Sequence, residues 1–299
     1  MRPYPGEMSS PWSVGGAAAL QEHAPTAGAA LGGLTALWPA SLSEIQLATI
    51  RMVTAEGLGL TPLRRPPTGP RRSAEVPQAV VMAFAEQFAV DVSALTDDLR
   101  ASWLEAMGRD AFDGALAIYV ADYVPRVRVV LDALFGPEEW FDAALVRSAY
   151  SRLLMDEFIH EVALLDVLDP VTTELVRLRG ARQHHCRICM SRRSLAAVRE
   201  GADATMFQEL DDYRRSSLTD AHQAALTLTD ALIWTPANLR SRDIEAVRTH
   251  LQPAEAVEIV LDVMRNAANK IAVALGADAP ERAGVQLFEV DEAGRLYFP

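Results

Sequence analysis

Residues 174–193 read ELVRLRGARQHHCRICMSRR, and this stretch contains the chemistry around which the chain is organised. It holds Cys186 and Cys189, the only two cysteines among 299 residues, and Glu174 lies twelve residues before the first of them. Residues three apart in a helix are neighbours. A helix after His185 would therefore place both thiols on one face of its first turn, where unpaired N–H groups favour a thiolate. The stretch predicts a redox site.

Helix start and stop patterns flank the two cysteines. Asp169-Pro170 predicts the N-cap and first residue of one helix, whose buried side carries Leu175, Val176, Leu178 and Ala181. Gly201 predicts the end of the cysteine helix, with Glu200 as its last residue. Glu174 lies on the first helix. Its carboxylate can approach the thiols only if the turn at residues 183–185 folds the two helices together.

An acid, eleven intervening residues, a CxxC pair and a following helix resemble the alkylhydroperoxidase D-like, carboxymuconolactone decarboxylase superfamily. Glu174, Cys186 and Cys189 match the Glu-x11-Cys-x-x-Cys pattern of its redox branch position for position. The histidine that follows four residues later in that branch is replaced by Arg193, and Ile188 stands where the best-known peroxidases have another histidine. The stretches LTDAHQAALTLTDALI and RNAANKIAVALG also resemble the family's, so the resemblance covers residues 163 to 276.

The resemblance implies an antioxidant, thiol-dependent oxidoreductase that reduces a peroxide or a disulfide through a Cys186–Cys189 disulfide. It implies that Cys186 is the more exposed cysteine, that Cys189 attacks the substrate and that Glu174 is a proton-relay acid. It also implies a dithiol reductant, either lipoyl-bearing or thioredoxin-like, and a homo-oligomer with a trimer favoured. No cofactor is expected.

Arg193 is the departure from the family that bears most on the chemistry. A guanidinium stays charged, so it can stabilise a thiolate but cannot accept a proton from a thiol. Another group must then be the general base, and we select His185, which with His184 is nearest in sequence. His160 and His222 would need the fold to bring them close. Each of these histidines also fits an ordinary solvated or core position.

Several alternatives to this function are open. A lyase, decarboxylase or biosynthetic enzyme on the same fold would not use the cysteine pair, and a redox-sensing binding protein would use it without turnover. Zinc is not expected, because adjacent histidines rarely reach one metal together with both cysteines and no second CxxC or HxxxH supplies ligands. The arginines at 187, 192 and 193 predict either a positive rim that attracts a carboxylated or phosphorylated substrate or a solvated helix face.

The composition excludes some classes of partner. A net charge of -12 disfavours binding to nucleic acid or to an anionic membrane surface, where clustered positive charge supplies the affinity. No apolar run approaches the length that spans a bilayer, and no secretory leader opens the chain, so we expect a cytoplasmic protein. In a reducing cytosol a lone CxxC is more often catalytic, redox-sensing or metal-binding than structural. Lys270 is the only lysine, so Schiff-base chemistry would rest on it alone.

The chain also resembles itself. A shift of 130 residues pairs Glu44 with Glu174, and a shift of 144 lays residues 77–126 over residues 221–270 without a gap. Apolar residues then coincide, as do Phe84 with Leu228 and Phe88 with Leu232. Such self-similarity is typical of duplication, although any two amphipathic helical stretches can be aligned.

We therefore predict an all-α, duplicated AhpD-like fold with two tandem units. Residues 1–28 are expected to be a flexible N-terminal arm, and residues 29–136 a degenerate unit without cysteines that serves as a packing partner. Residues 137–159 are expected to form a connecting helix, and residues 160–278 the unit that carries the CxxC. The tail, residues 279–299, alternates apolar and polar residues, which predicts a hairpin or an extended arm that packs on a neighbour.

Overall fold

The structure of the chain, a computed structural model, describes residues 10–67, 78–291 and 294–299. Helices dominate these ranges and the strands are few and short, so the predicted all-α class is confirmed. Most of the Pro- and Arg-rich segment at residues 63–77 that separates two predicted helices lies outside the described residues. None of the described helices combines the length and the apolarity that crossing a membrane requires.

The chain up to residue 135 forms helices around one long central helix, α6. The helices are α1 (Gly16–His23), α2 (Pro25–Ala36), α3 (Glu44–Leu58), α4 (Gln78–Asp91), α5 (Asp97–Met107) and α6 (Ala111–Phe135). Short 3₁₀ turns occupy Val92–Ala94 and Gly108–Asp110. Strand β1 (Leu37–Pro39) pairs in parallel with β2 (Val146–Ser148).

The remainder of the chain holds further helices and a small sheet. The helices are α7 (Ser151–Ala163), α8 (Pro170–Gln183), α9 (Arg187–Met190), α10 (Leu195–Arg199), α11 (Ala204–Glu209), α12 (Asp220–Trp234), α13 (Ser241–His250), α14 (Pro253–Ala267) and α15 (Lys270–Ala274), with 3₁₀ turns at Leu210–Arg215 and Pro236–Asn238. The sheet places β4 (Gln286–Val290) between β3 (Arg192–Ser194) and β5 (Leu296–Tyr297).

Local sequence sets the start of α8 as predicted. The carboxylate of Asp169 accepts hydrogen bonds from the backbone N–H groups of Val171 and Thr172, and Pro170 is the first residue of the helix. The proline costs nothing there because the first N–H of a helix has no partner within the helix. All four residues predicted for the buried side of α8 are buried: Leu175, Val176, Leu178 and Ala181.

One hydrophobic core joins the two halves of the chain. Helix α6 is buried on nearly all sides, as a helix at the centre of a domain must be, and it packs against α1, α3 and α14. The hydroxyl of Tyr119 on α6 donates to the carbonyl of Met264 on α14 at 2.9 Å. Phe84 stacks on Trp103 with ring centroids 4.1 Å apart. The first half is thus packed directly against the half that carries the cysteines.

The N-terminal segment differs from the flexible arm that was expected over residues 1–28. Within it, α1 and the start of α2 are ordered helices, and Ala19 and Ala27 are fully buried in the core. Trp12 stacks on Phe135 at 5.0 Å between ring centroids. The prediction was wrong for these residues because small alanine and glycine side chains allow close helix packing; residues 1–9 lie outside the described ranges.

The prediction of a connecting helix over residues 137–159 was also wrong. Helix α6 ends at Phe135. The next residue, Gly136, has a φ of 100°, which glycine adopts without strain and other residues do not. The next residues belong to no helix and lead into β2, and helix α7 begins only at Ser151 and runs through the predicted boundary to Ala163. Pairing with β1 holds the residues of β2 in a strand instead of a helix.

The helix expected from the cysteines to Glu200 is interrupted. Helix α9 ends at Met190, β3 follows, and α10 begins at Leu195. Strand β3 pairs in parallel with β4 of the C-terminal tail, so hydrogen bonds from a segment about ninety residues away replace those of a continuous helix. Gly201, at φ 100°, follows the end of α10 as predicted, with Glu200 as the capping residue.

The tail forms the predicted hairpin. Strands β4 and β5 pair antiparallel, with Glu289 opposite Tyr297 and Val290 opposite Leu296. Gly294 in the connection has φ 70°. Because β4 also pairs with β3, the hairpin packs directly beside the cysteine segment of its own chain.

Candidate functional site

Cys186 and Cys189 form a disulfide at the start of α9. Their Cα atoms are 5.3 Å apart. Cys186 is the N-cap residue of α9, and its Sγ accepts a hydrogen bond from the backbone N–H of Cys189 at 3.3 Å. The predicted placement of the two sulfurs at a helix start is therefore seen, although the helix is only one turn long.

The expected order of exposure of the two cysteines is wrong. Cys186 is 1% exposed and Cys189 is 8% exposed. Cys186, at the N-cap, turns its side chain back over the first turn of α9. Its backbone N–H donates to the carbonyl of Ala181 in α8. Cys189 is the cysteine that a solvent-borne reagent reaches more easily.

Both cysteines line a cavity of about 600 Å³. Its wall is built from α7, the end of α8, the end of α14 with α15, and the C-terminal hairpin. Apolar lining residues are Phe112, Met155, Ile159, Ile271, Leu275, Phe288 and Leu296, and cationic ones are Arg152, Arg177, Arg192, Arg265 and Lys270. A cavity of this volume is in the range of small-molecule sites.

Glu174 reaches the cysteine segment through Arg177. The carboxylate is buried, accepts two hydrogen bonds from the Arg177 guanidinium at 2.7 and 2.8 Å, and accepts a third from the backbone N–H of Ser194 at 3.1 Å. Arg177 in turn donates to the carbonyls of Cys189 at 3.0 Å and Arg192 at 2.7 Å. Helices α8 and α9 are thus folded together, which was the condition for Glu174 to approach the cysteine segment. Glu174 itself does not line the cavity.

The histidine in the cavity wall is His184, and His185 is outside it. His185 is exposed and adopts a φ of 51°, in the left-handed region, so the chain turns there and its side chain lies outside the cavity lining. His184 is buried and lines the cavity, with Nε2 3.0 Å from the hydroxyl of Tyr123. Burial, with the nearby charges of Lys270 and Arg126, holds the pKa of His184 well below its ordinary value. The imidazole is therefore neutral at pH 7.

Arg193 also lies outside the cavity lining. Its guanidinium donates to the carbonyls of Met190 and Arg192, both at 2.7 Å, and lies over the ring of Phe207 at 5.3 Å. Burial lowers its pKa. Of the three arginines predicted to form a positive rim, only Arg192 lines the cavity, because the exposed side chain of Arg187 pairs with Asp278 at 2.6 Å.

A buried cluster of three charged side chains reaches the cavity through Lys270. The carboxylate of Asp122 accepts from Arg126 at 2.6 Å and from Lys270 at 2.6 Å, and all three side chains are almost fully buried. Lys270 also lies 5.3 Å from the ring centroid of Tyr123 and lines the cavity. Burial lowers the pKa of Lys270 to about 8, because desolvation outweighs the attraction of a carboxylate that Arg126 shares.

Sequence reasoning did not select Tyr123, Asp122, Arg177 or Lys270 for the site. Asp122 and Tyr123 are more than sixty residues from the cysteines, and nothing local distinguishes them from other residues of α6. The available indication was that Lys270 is the only lysine and sits in an apolar helical stretch, where a charge requires a partner.

The C-terminal hairpin closes one side of the cavity. Phe288 of β4 and Leu296 of β5 are in the lining. The guanidinium of Arg177 lies 5.2 Å from the ring centroid of Phe288, and that of Arg192 lies 5.0 Å from that of Phe298. Across the described ranges, no cluster of three or more His, Cys, Asp or Glu side chains is arranged to hold a metal ion.

No known family profile matches the chain, and no solved structure matches it. It is similar to two proteins of Mycobacterium tuberculosis, the uncharacterized protein MT2376 of strain CDC 1551 / Oshkosh and the uncharacterized protein Rv2313c of strain ATCC 25618 / H37Rv. Each is 42% identical to the chain over 263 residues, which covers 83% of the chain and 90% of the relative. The chain therefore belongs to the same family as these two mycobacterial proteins.

Proposed function

We propose that the protein is a thiol-dependent oxidoreductase that reduces a peroxide or a disulfide through a Cys186–Cys189 dithiol/disulfide cycle. The observation that carries the proposal is that the only two cysteines of the chain are paired in the wall of a cavity of about 600 Å³. A pair that served only to stabilise the fold would link distant segments, whereas this one closes a loop of three residues and constrains almost nothing.

Reduction of a hydroperoxide balances with these two thiols. The thiolate of Cys189 attacks the distal peroxide oxygen, the O–O bond breaks, and the alkoxide leaves as an alcohol after taking a proton. The resulting sulfenic acid of Cys189 is attacked by the thiolate of Cys186, which forms the disulfide and releases water. A dithiol, lipoyl-bearing or thioredoxin-like, then returns two electrons by thiol–disulfide exchange and leaves as a disulfide.

Cys189 is the better attacking group of the two. It is the more exposed cysteine, and the Arg177 guanidinium is bonded to its carbonyl at 3.0 Å. Glu174 then acts as a positioning residue, since its carboxylate holds the Arg177 guanidinium and both of its oxygens are engaged.

His184 takes the proton-accepting role that was predicted for His185. A neutral imidazole can accept the proton of a thiol in the tautomer whose Nε2–H donates to the Tyr123 hydroxyl oxygen, because Nδ1 then carries the lone pair. Burial raises the pKa of Tyr123, so its phenol stays protonated. This histidine precedes the first cysteine, and it would replace the family histidine whose position Arg193 occupies.

The proposal extends to a duplicated AhpD-like fold. Adding 144 to the bounds of the 3₁₀ turn Val92–Ala94 gives those of Pro236–Asn238, and the same shift carries α5 onto α13 within one residue at each end. Shifted equally, α6 overlaps α14 together with α15. Coincidence of element bounds supports two related units, of which the first lost its thiols. A cytoplasmic location is part of the same proposal, as is a homotrimer, which rests on the sequence resemblance.

Stopped-flow oxidation of the reduced protein tests the function. The protein is reduced, freed of reductant and mixed with cumene hydroperoxide, while thiols are counted and the disulfide is followed by mass spectrometry. We expect rapid loss of both thiols with formation of the intramolecular disulfide. In Cys189→Ser this oxidation is lost, whereas Cys186→Ser accumulates a sulfenic acid on Cys189 that a dimedone probe traps.

The matched control for the proton-accepting role is a pair of neighbouring histidines. His184→Asn is expected to slow the oxidation, and His185→Asn to leave it unchanged, because only His184 lines the cavity. Thiol pKa values near the free value of about 8.5, together with slow oxidation in the unaltered protein, would contradict the oxidoreductase. Such a result would favour a non-redox enzyme or a binding protein on this fold.

A further inference from the structure

The cavity beside the disulfide carries an excess of positive charge. Its lining contains five cationic side chains and one acidic one, Asp156. Four of the cations have an ion-pair partner: Arg152 with Asp156, Arg177 with Glu174, Arg265 with Asp262 and Lys270 with Asp122, which Lys270 shares with Arg126. Arg192 is the fifth. No carboxylate of the described residues forms an ion pair with its guanidinium within 4.0 Å, although the charge of Glu281 acts on it from farther away and opposes the lowering of its pKa by burial.

Two hydrogen-bond donors of the lining are buried without a partner. Among the described residues, Arg192 Nε and Asn266 Nδ2 belong to the few buried side-chain polar atoms that make no hydrogen bond. Both residues line the cavity. A buried donor without an acceptor is unfavourable, and most such atoms in proteins have a protein, water or ligand partner. The oxygens of a bound ligand are acceptors of the kind that these two donors lack.

Contacts with neighbouring residues hold Arg192 in one position. Its carbonyl accepts hydrogen bonds from Arg177 and Arg193, each at 2.7 Å. Its guanidinium lies over the ring of Phe298 at 5.0 Å, and its backbone is paired with Gln286 in the sheet. A guanidinium that is already positioned loses little freedom when it binds an anion.

The rest of the lining is apolar. Phe112, Met155, Ile159 and Leu275 line the same cavity as Arg192 and Asn266. One unpaired cation with one amide matches a single carboxylate group, since a dianionic phosphate would need further neutralising charge. The apolar residues match a hydrocarbon body attached to that carboxylate.

We infer that this cavity binds an organic carboxylate with an apolar body, held by Arg192 and Asn266, and that such molecules are the substrate class presented to Cys189. The second part rests on the proposed oxidoreductase function; the binding site does not depend on it. The carboxylate lies against Arg192, and the reducible hydroperoxide or disulfide group of the same molecule reaches the sulfur of Cys189 across the cavity.

Equilibrium binding to the oxidised protein tests the site without any turnover. Titration calorimetry compares octanoate with methyl octanoate, which has the same body and no charge. We expect octanoate to bind more tightly, and Arg192→Gln and Asn266→Ala each to weaken its binding, the former by about tenfold or more. Binding of the ester should change little. Arg215→Gln is the control, because that side chain is exposed and outside the cavity.

Circular dichroism and a thiol count confirm that each variant is folded and keeps its disulfide. Equal affinities for octanoate and its ester, or unchanged octanoate binding in folded Arg192→Gln, would overturn the site. The substrate class is tested with linoleic acid hydroperoxide and its methyl ester on the reduced protein. Faster oxidation by the acid, with the advantage lost in Arg192→Gln, supports it, and equal rates overturn it.

The experiments distinguish failure of the oxidoreductase function from failure of the carboxylate site. If neither hydroperoxide nor cumene hydroperoxide oxidises the thiols, the oxidoreductase and the substrate class both fall. Octanoate binding that depends on Arg192 would in that case still support the carboxylate site by itself.

Discussion

The only lysine of the chain should titrate more than two pH units below an ordinary lysine. Lys270 is almost fully buried, with Nζ 2.6 Å from Asp122 and 4.8 Å from the ring centroid of Phe88. Burial lowers its pKa from 10.5 to about 8, with Arg126 adding to the decrease and Asp122 and Asp91 opposing it. The perturbation is Lys270→Met, which keeps an unbranched side chain one atom shorter, removes the charge and leaves the Asp122–Arg126 pair in place.

The sign and size of the pH effect follow from this pKa. In the unfolded chain the lysine holds its proton up to pH 10.5, and in the native protein up to about pH 8. Between these values the unfolded state binds more protons, so raising the pH stabilises the native protein. The full effect is about 3 kcal/mol, of which about 2 kcal/mol should develop between about pH 7 and about pH 9.5. Lys270→Met lacks this gain.

Two measurements check the prediction. Urea unfolding of both proteins gives the difference in unfolding free energy, which removes the titration of the groups they share. Because the chain has one lysine, selective isotope labelling allows its amine to be followed directly by NMR. A difference that is flat or falls with pH, or a measured pKa above about 10, would refute the reasoning that desolvation outweighs the ion pair.

Three further predictions concern stability and access to the cysteines. Asp122→Asn leaves Arg126 and Lys270 buried without their shared carboxylate, so at pH 7 it should cost about 3 to 5 kcal/mol by urea unfolding; a loss no larger than that of Lys270→Met would contradict this. Phe288→Ala removes a wall of the cavity and should speed reduction of the disulfide by a phosphine, with Phe141→Ala, an exposed position, as control; equal rates would exclude a covering role for the hairpin. Gly114→Ala places a Cβ 2.6 Å from Trp103, which is stacked on Phe84, and should cost about 1 to 3 kcal/mol in the same unfolding assay, where a neutral result would show that the indole can shift.

The site shows which predictions depend on local sequence. The cysteine pair, its position at a helix start and the fold of α8 onto α9 agree with the structure because residues within twenty positions determine them. The roles of His184 and His185 could not be separated in the same way. Which of two adjacent residues is buried depends on the conformation of the turn between the helices. His185 takes a left-handed conformation and is exposed, whereas His184 is buried and forms a hydrogen bond with Tyr123.

By itself, the sequence determined the helical class, the caps and the buried faces of the helices, and the position of the two cysteines at a helix start; the redox role of residues 174–193 stays a prediction. Asp169 and Pro170 start α8 through contacts within three residues, and the apolar periodicity of α4 selects the face that carries Phe84 and Phe88. These features depend on interactions between near neighbours along the chain, which a pattern of residue types records directly.

Only the tertiary structure decided where the cysteine helix stops and what surrounds the thiols. The tail pairs with residues 192–194 and turns an expected helix into a strand, and α6 contributes Tyr123 and Asp122 from the other half of the chain. The tertiary structure also decides which charged side chains form ion pairs. The fold buries Lys270 against the carboxylate of Asp122, whereas it brings no carboxylate of the described residues into an ion pair with Arg192. Desolvation and long-range pairing arise from three-dimensional proximity, and for that reason no local pattern specified them.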